Sequence, residues 1–434
     1  LALGSGGQDL EEVVVTADRA VMELGLDRKV FNVEKSVAAA GGNAEDLLRQ
    51  LPSVDVDLDG NVSLRGSGNV RFLINGRPSG LVGTDPVTFL RSLSANNVAR
   101  IEVITNPGAA YDPDGTAGLI NIVLKRKRDD GFNSTLNLNF GSAPSFDGSL
   151  DMNWRKGKFN SFAGIAGRYD NRFFRGFRDQ EGTIADSTFQ RNFTFNGDRL
   201  RQSSTFRAGT EYSLSEQTIV GIQGSLQLES GESTNTRVTR FRDGEGQLAR
   251  TSFRDEFEPE EEDNLEFEAN FTTNFKKEGR KLSGSAQWSR NDELETENYN
   301  ERIIDPEGNV LETFLQRAPS LEDRTRIQLQ MDYEQQMGDL KFETGWRTTL
   351  QDLTTEAAFG DVDPSSETFL PVDSLSNLFN YREDVHAVYA TFGGKLDNIV
   401  FSAGLRAEQA FTTSTLLEPS FEEFENDYFK VYPS

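Results

Sequence analysis

Few side chains in this sequence could carry out catalysis. The 434 residues include no cysteine and a single histidine, His386. Thiol nucleophiles, cysteine–histidine pairs and the common zinc sites are therefore nearly excluded. The G-x-S-x-G turn that presents a nucleophilic serine is also absent. His386 lies at the start of a predicted strand, where it reads as a structural residue, and the sequence therefore predicts no catalytic site.

The segment Asp55–Asn61, DVDLDGN, resembles the first half of a calcium-binding loop. Acidic residues occupy positions one, three and five, and Gly60 follows them. Position twelve should be glutamate for bidentate binding but is Gly66. Val56 and Leu58 alternate with the acidic residues, which is typical of a strand that runs into a turn. We therefore predict no metal site and no cofactor.

The segment Arg77–Asp85, RPSGLVGTD, has the residue types of a binding loop. Gly80 and Gly83 allow close approach of a ligand to the backbone. Arg77 supplies a planar fork of hydrogen-bond donors, and Pro78 stiffens the start of the segment. These residues favour recognition of a solute over chemical conversion of one.

Composition, hydropathy and net charge exclude several classes of protein. The apolar fraction is 36%, the mean hydropathy is −0.55, and no run approaches the roughly 20 apolar residues of a membrane-spanning helix. The formal net charge of −25 has the wrong sign for nucleic-acid binding. No export signal is visible in the first ten residues. Membrane strands remain open, since half of their residues face a polar interior.

The first 130 residues predict a small α/β domain. Asn43–Leu51 is a helix with Asn43 as its N-cap and Pro52 as its end, and a second helix is expected over Pro86–Leu93. Ile101–Lys127 reads as strand, glycine-rich turn and strand. Three further short strands are predicted at Val54–Val56, Val62–Leu64 and Val70–Ile74.

From Phe132 onward the sequence predicts amphipathic strands in regular succession. Asp263–Phe275 places Phe267 on an apolar face and Glu266 and Glu268 on the opposite, polar face. We count eleven such strands and the start of a twelfth at Tyr428–Tyr432. Short turns alternate with long polar segments that we expect to be external loops, and four of these segments carry a net charge of −5 to −7. This alternation is typical of outer-membrane barrels, whereas soluble sandwiches seldom keep it.

The N-terminal motifs resemble those of the plug of TonB-dependent outer-membrane receptors. Their order and spacing match the family across residues 43–127. The matching motifs are Leu51–Val54 (LPSV), Leu64–Gly66 (LRG), Ile74–Pro78 (INGRP), Ile101–Ile104 (IEVI), the glycine- and proline-rich turn Asn106–Gly118, and Gly118–Val123 (GLINIV). The strand region resembles the large barrel of the same family by architecture more than by motif.

The resemblance implies a transmembrane antiparallel β-barrel with an α/β plug in its lumen, in the outer membrane of a Gram-negative bacterium. The expected divisions are a linker at 1–19, a plug at 20–130 and the first half of a barrel at 131–434. The family barrel has about 22 strands, so about 12 strands make it incomplete here. A small β-sandwich could precede residue 1.

The resemblance also implies site residues and partners. Val13–Thr16 alone could be an ordinary first strand, but in the family the segment corresponds to a TonB box, which pairs with TonB as an added strand. Its residues are Glu11, Glu12, Val13, Val14, Val15, Thr16 and Ala17. The solute-facing apices of the plug would include Asp57, Asp59, Asn61, Arg77, Ser79 and Asp85. Arg65 corresponds to a plug arginine that pairs with acidic barrel residues, for which Glu266 and Glu268 are candidates.

Three functions remain open. The first is import of a scarce small solute or oligomeric ligand, with TonB, outer-membrane lipid and in some systems a surface lipoprotein as partners, and no nucleic acid. The second is an adhesion or assembly scaffold that has kept its plug. The third, a barrel enzyme, lacks a catalytic constellation. The acidic segments would repel anions, so we expect a neutral or cationic cargo, with a peptide or glycan ahead of an anionic chelate.

Overall fold

The computed structural model of the chain contains a small N-terminal sheet and a large sheet of long strands. It describes residues 22–24, 28–33, 42–57, 61–78, 90, 93, 95–105, 109, 118–125, 130–141, 144–184, 187–276, 279–396 and 399–434. Among these residues, none of the helices is long and apolar enough to span a bilayer.

Within its described residues, the N-terminal part combines one short helix and a 3-10 turn with eight short strands. Its elements are β1 Met22–Leu24, β2 Arg28–Asn32, α1 Ala44–Leu48, β3 Val54–Val56, β4 Val62–Leu64, β5 Val70–Ile74, β6 Arg77–Pro78, a 3-10 turn at Ala95–Asn97, β7 Val98–Ile104 and β8 Gly118–Leu124. The predicted strands at 54–56, 62–64 and 70–74 are confirmed at their predicted bounds.

Helix α1 is confirmed with its predicted cap. The Asn43 side chain accepts a hydrogen bond from the Asp46 N–H at 3.0 Å, and the Asp46 carboxylate accepts one from the Asn43 N–H at 3.0 Å. This reciprocal arrangement satisfies two N–H groups at the start of the helix. Leu47 and Leu48 are fully buried. The helix is shorter than predicted, because the last turn before Pro52 tightens to i→i+3 bonds from Gln50 and Leu51.

The N-terminal sheet has the order β1-β2-β7-β8-β5-β6, with β5 parallel to β8 and the other pairs antiparallel. The predicted strand–turn–strand unit therefore supplies its two central strands. Ile101, Ile120 and Ile122 are fully buried against α1 and the β3–β4 hairpin. Most of the second predicted helix, Pro86–Leu93, lies outside the described residues.

The large sheet is built from twelve long antiparallel strands and one short strand pair. The bounds are β9 Gly131–Phe140, β10 Ser145–Lys156, β11 Phe159–Ile184, β12 Ser187–Ser213, β13 Thr218–Arg242, β14 Leu248–Asn274, β15 Arg280–Ile304, β16 Val310–Met337, β17 Leu340–Ala357, β18 Gly360–Val362, β19 Phe369–Pro371, β20 Asn377–Leu396, β21 Ile399–Glu418 and β22 Glu422–Pro433. Each long strand pairs with its neighbour in the chain, and β18–β19 lies off this path. The twelve strands form a partial barrel, as predicted.

The long polar segments were expected to be loops, and this was wrong for most of their length. Strands β11 and β12, for example, stay paired up to Ile184 and Ser187. Polar side chains support the ladder across these hairpins: Asn192 Nδ2 lies 2.7 Å from Asp179 Oδ1, and Asn235 Nδ2 lies 2.6 Å from Glu256 Oε2. Backbone pairing needs no apolar face, so a polar composition did not exclude strands here.

Burial in the large sheet is the reverse of that in a water-soluble sheet. On β14 the Phe267 side chain is 54% exposed, whereas Glu266 and Glu268 on the opposite face are 5% and 8% exposed. On the outer face Trp288 stacks on Phe267 with ring centroids 6.0 Å apart. Apolar side chains that face outward and polar ones that face inward indicate lipid outside and a polar interior.

The outward apolar face has a defined height. Along the end of β14 and the residue that follows it, this face runs over residues 267–275, which is the length of a tilted membrane strand. We call this stretch and its register partners the membrane band. Just beyond Trp288, Arg290 Nη2 lies 2.9 Å from Asp292 Oδ1 and 2.6 Å from Asp323 Oδ2 on the outer face. A charged cluster facing lipid is costly, so these residues indicate the end of the band.

We expect Phe271→Asp to prevent assembly of the barrel and Glu268→Asp to leave it intact. Both variants place aspartate on the same strand, three residues apart and on opposite faces. A charge that faces lipid near the bilayer midplane costs about 2–4 kcal/mol for Arg or Lys and less for Asp, whereas the interior already holds a carboxylate. Heat-modifiable mobility in gels measures assembly, and equal behaviour of the two variants would contradict the assigned faces.

Candidate functional site

A buried carboxylate lies at the centre of the N-terminal sheet. Glu102 on β7 is opposite Asn121 on β8. Its Oε2 accepts hydrogen bonds from Asn121 Nδ2 at 3.0 Å and from Arg28 Nη1 at 3.1 Å, and its Oε1 accepts one from Arg100 Nε at 2.8 Å. Burial raises the pKa of Glu102, but these hydrogen bonds and the two arginine charges outweigh it, so the pKa lies below its ordinary value. The carboxylate is therefore ionised at neutral pH.

Hydrogen bonds with the neighbouring strand β8 also fix the turn Asn75–Gly76, which precedes Arg77. Asn75 and Gly76 have φ values of 52° and 84°, as a two-residue hairpin turn with the right twist requires. The Gly76 N–H donates to Asn121 Oδ1 at 2.7 Å, and the Leu124 N–H donates to Asn75 Oδ1 at 3.0 Å. The Asn-Gly pair of the INGRP motif therefore has a conformational role, and it sets the start of the predicted binding loop.

The two sheets meet at Arg406 on β21. This arginine is 1% exposed. Its Nε donates to Glu408 Oε1 at 2.5 Å, its guanidinium lies 5.7 Å from the ring centroid of Tyr389, and its Nη1 donates to the carbonyl of Ala109 at 3.4 Å. A Cβ on Gly404 would lie 3.0 Å from the Ala109 Cβ, so the absence of a side chain there permits the close approach. We call this contact the plug seat.

The plug seat continues into a polar network on the inner face of β16, β17 and β20. The hydroxyl of Tyr389 donates to the carboxylate of Asp332. Gln330 Nε2 donates to Asp332 Oδ2 at 2.8 Å, and Arg347 Nη2 donates to Gln330 Oε1 at 3.1 Å. These bonds satisfy polar groups that lie at the level of the membrane band, where water cannot substitute freely.

Beyond the membrane band, the inner face becomes strongly acidic. Cross-strand partners on β14 and β15 carry like charges, since Glu260 is opposite Glu295 and Glu262 is opposite Glu293. Glu258 and Glu297 extend this surface farther from the membrane band. Glu322 on β16 is opposite Glu293. We call these seven glutamates the acidic wall: Glu258, Glu260, Glu262, Glu293, Glu295, Glu297 and Glu322.

Three carboxylates of the acidic wall form a tight group. Ligand oxygens of Glu258, Glu295 and Glu297 lie within 4.8 Å of one another, the one such group among the residues that the structure describes. Burial and the neighbouring charge of Glu258 raise the pKa of Glu295 to about 7, and burial raises that of Glu258 as well. The Tyr299 hydroxyl donates to Glu297.

Some of the predicted apex residues serve in a turn. Asp57 accepts hydrogen bonds from the Asn61 N–H at 2.9 Å and from Asn61 Nδ2 at 2.9 Å, which closes the tip of the β3–β4 hairpin. Both residues are exposed, so their contact with a solute remains a prediction. Arg77 begins β6. The other predicted residues of the apices and of the TonB box lie outside the described residues: Asp59, Ser79, Asp85 and Glu11–Ala17.

The predicted contact of Arg65 with the barrel stays a prediction. Arg65 is exposed, has a φ of 54°, and donates its N–H to the Ser53 carbonyl at 3.0 Å. Glu266 and Glu268 do face inward, as predicted, and Glu268 accepts from Gln223 Nε2 at 2.8 Å. Sequence reasoning missed Arg406, because nothing in the pattern distinguishes it from other inward-facing charges. Glu102 and Asn121 lie in the IEVI and GLINIV motifs. The sequence alone assigned them no role, although each is polar within an apolar strand.

We expect the β14–β15 hairpin to lose stability as the pH rises from about 4.5 to 7. Glu295 binds its proton more tightly in the folded hairpin than in an unfolded one, so the folded state gains most below pH 4.5. The change should be about 1 kcal/mol, because these half-exposed charges are screened by solvent. Hydrogen exchange corrected for its intrinsic pH dependence measures it.

Glu295→Gln should remove most of this dependence, and Glu307→Gln at the exposed tip of the β15–β16 hairpin should not. An unchanged pH profile in Glu295→Gln would contradict the assignment of the proton to this group.

Known proteins resemble both parts of the chain. Residues 21–119 match the TonB-dependent receptor plug domain, and residues 273–434 match the outer membrane protein beta-barrel family. The rhizobactin receptor of Rhizobium meliloti (strain 1021) is 29% identical over 158 residues, which are 33% of this chain and 20% of that receptor. The match thus spans about a fifth of the relative's length.

Solved structures of two receptors are also similar to the chain. The ferric-catecholate import receptor Fiu from E. coli K12 is 13% identical, with a TM-score of 0.45 over 94% of this chain and 80% of that one. The ferric citrate transporter FecA in its unliganded form is 12% identical, with a TM-score of 0.41 over 94% and 78%. The chain therefore carries a plug domain of the TonB-dependent receptor type, followed by strands of an outer membrane protein beta-barrel family.

Proposed function

We propose that this receptor imports a scarce solute and that TonB supplies the energy. The observation that carries the proposal is the plug seat: a separately folded domain contacts the polar inner face of a membrane sheet through Arg406 and Ala109. A domain in this place blocks free diffusion, so passage requires its displacement. TonB would pair with Glu11–Ala17 as an added strand and pull on the chain just before β1.

A scaffold without transport is the second candidate function. It would use the same sheet and plug but would have no need of a coupling segment. We propose no enzymatic role, since the sequence contains no cysteine and a single histidine, and the plug domain is typical of receptors. The domain limits 1–19, 20–130 and 131–434 remain our proposal for the linker, plug and barrel.

We expect deletion of Glu11–Ala17 to abolish uptake while membrane insertion and surface binding of the solute persist. The deletion removes the strand that TonB would bind and leaves β1 and the plug core in place. Accumulation of labelled solute in cells measures uptake, and binding to whole cells at low temperature measures the surface step. Uptake at the wild-type rate in the deletion strain would favour the scaffold.

The negative charge of the acidic wall is related to the charge that the imported solute can carry. Within a Debye length of about 8–10 Å, its carboxylates repel anions and concentrate cations. The similar protein of Rhizobium meliloti is named a receptor for rhizobactin. For this chain, an iron chelate of neutral or positive net charge would fit the acidic wall. A neutral peptide or glycan fits the charge equally well. We therefore propose a neutral or cationic cargo, to which Arg77 donates hydrogen bonds without neutralising a charge.

We expect purified receptor to bind a cationic ferric trihydroxamate or a neutral oligopeptide more tightly than anionic ferric citrate. Raising the salt concentration should weaken the binding of the cation and leave that of the neutral probe unchanged, because only the former depends on long-range attraction. Arg77→Ala should weaken the preferred probe without changing expression. Tight binding of ferric citrate that weakens with salt and depends on Arg77 would contradict a neutral or cationic cargo.

A further inference from the structure

One polar row crosses the plug sheet from its N-terminal edge towards the predicted binding loop. It starts at Arg28 on β2, passes Glu102 on β7 and Asn121 on β8, and ends at the N–H of Gly76. The successive donor–acceptor distances are 3.1, 3.0 and 2.7 Å. The row therefore joins the strands that follow the proposed TonB box to the turn that leads into 77–85.

The side-chain amide of Asn121 donates a hydrogen bond to one neighbour in the row and accepts one from the other. Its Nδ2 points at Glu102, and this orientation places its Oδ1 where the Gly76 N–H can donate. If the Glu102 carboxylate moved, the amide would lose the partner that fixes its orientation. Glu102 and Asn121 are each 5% exposed, so water cannot readily replace a lost bond.

Two arginines bind Glu102, but they differ in what they connect. Arg100 lies on β7, the strand of Glu102 itself, and contacts Oε1. Arg28 lies on β2 and contacts Oε2, the oxygen that also accepts from Asn121. Both supply one positive charge at a similar distance. Arg28 alone of the two links the edge strands to the sheet centre.

We propose that Arg28 is a positioning residue that couples the edge strands β1 and β2 to the Asn75–Gly76 turn. Withdrawal of β2 separates Arg28 from Glu102, the carboxylate and the Asn121 amide reorient, and the turn before Arg77 loosens. A pull on the N-terminus thereby weakens the hold on a solute at the binding loop. This inference rests on the proposed function, in which TonB pulls on the segment before β1.

Hydrogen exchange of the Gly76 amide in the purified full-length receptor tests this coupling without a solute. We expect Arg28→Gln to accelerate Gly76 exchange about tenfold, the order that the loss of one buried hydrogen-bond partner produces. Arg100→Gln should leave it within about twofold, because the charge is lost but the β2–β7 link remains. Lys29→Gln controls for disturbance of β2, since Lys29 Nζ contacts Ser53 Oγ at 3.3 Å and not Glu102.

Equal acceleration by Arg28→Gln and Arg100→Gln, or an unchanged Gly76 rate in Arg28→Gln, would overturn the coupling. If Arg28→Gln also accelerates exchange at Ile101 and Ile120, the variant unfolds the sheet as a whole. In that case the milder variant Arg28→Lys is measured, and its Gly76 exchange rate is judged by the same criterion. The double variant Arg28→Gln/Asn121→Ala provides an independent check. It should match Asn121→Ala alone at Gly76, whereas additive effects would contradict a serial path. Uptake is not the readout, so failure here would leave the import function standing.

Discussion

Backbone amides cannot remain unpaired in lipid, and the large sheet is arranged around this constraint. Each long strand pairs with its chain neighbour in an antiparallel ladder that is continuous through the membrane band, so the sequence is free to place apolar side chains outward and polar ones inward. The exposed Phe267 and the buried Glu268, one residue apart, show both consequences. A polar interior then has to be satisfied by its own networks and by a second domain.

The interior changes character along the strands. At the level of the membrane band, charges are matched: Arg406 binds Glu408, and Arg347 shares the Gln330 amide with Asp332. Beyond the band, like charges also face each other, as in Glu260 opposite Glu295, beside ion pairs such as Arg324 with Glu322. Exposure to solvent lowers the cost of an excess of one sign. The acidic wall can therefore keep a surplus of negative charge, which repels anions near it.

Local patterns predicted much of this fold. Asn43 before an apolar stripe gave the capped helix, and strict alternation gave the twelve strands together with their inward and outward faces. The extended hairpins were missed, because polar residues such as Asn192 and Asp179 read as loop although they pair across strands. The plug seat could not be predicted from the sequence for a different reason. Arg406 and Ala109 are far apart in the chain, and their contact depends on how one domain sits against another.

The contacts of the plug differ in what their loss would cost. Arg406 keeps Glu408 as a partner on its own strand, so this buried charge stays paired when Ala109 withdraws. Fully buried residues such as Leu47 and Ile120 hold the plug core together, and their exposure would cost about 1.5–3 kcal/mol each. The strands β1 and β2, with three and five residues, lie between these extremes at the sheet edge. A pull from the N-terminus would therefore act on this edge before it reached the plug core, and Arg28 is where the edge is joined to the central strands.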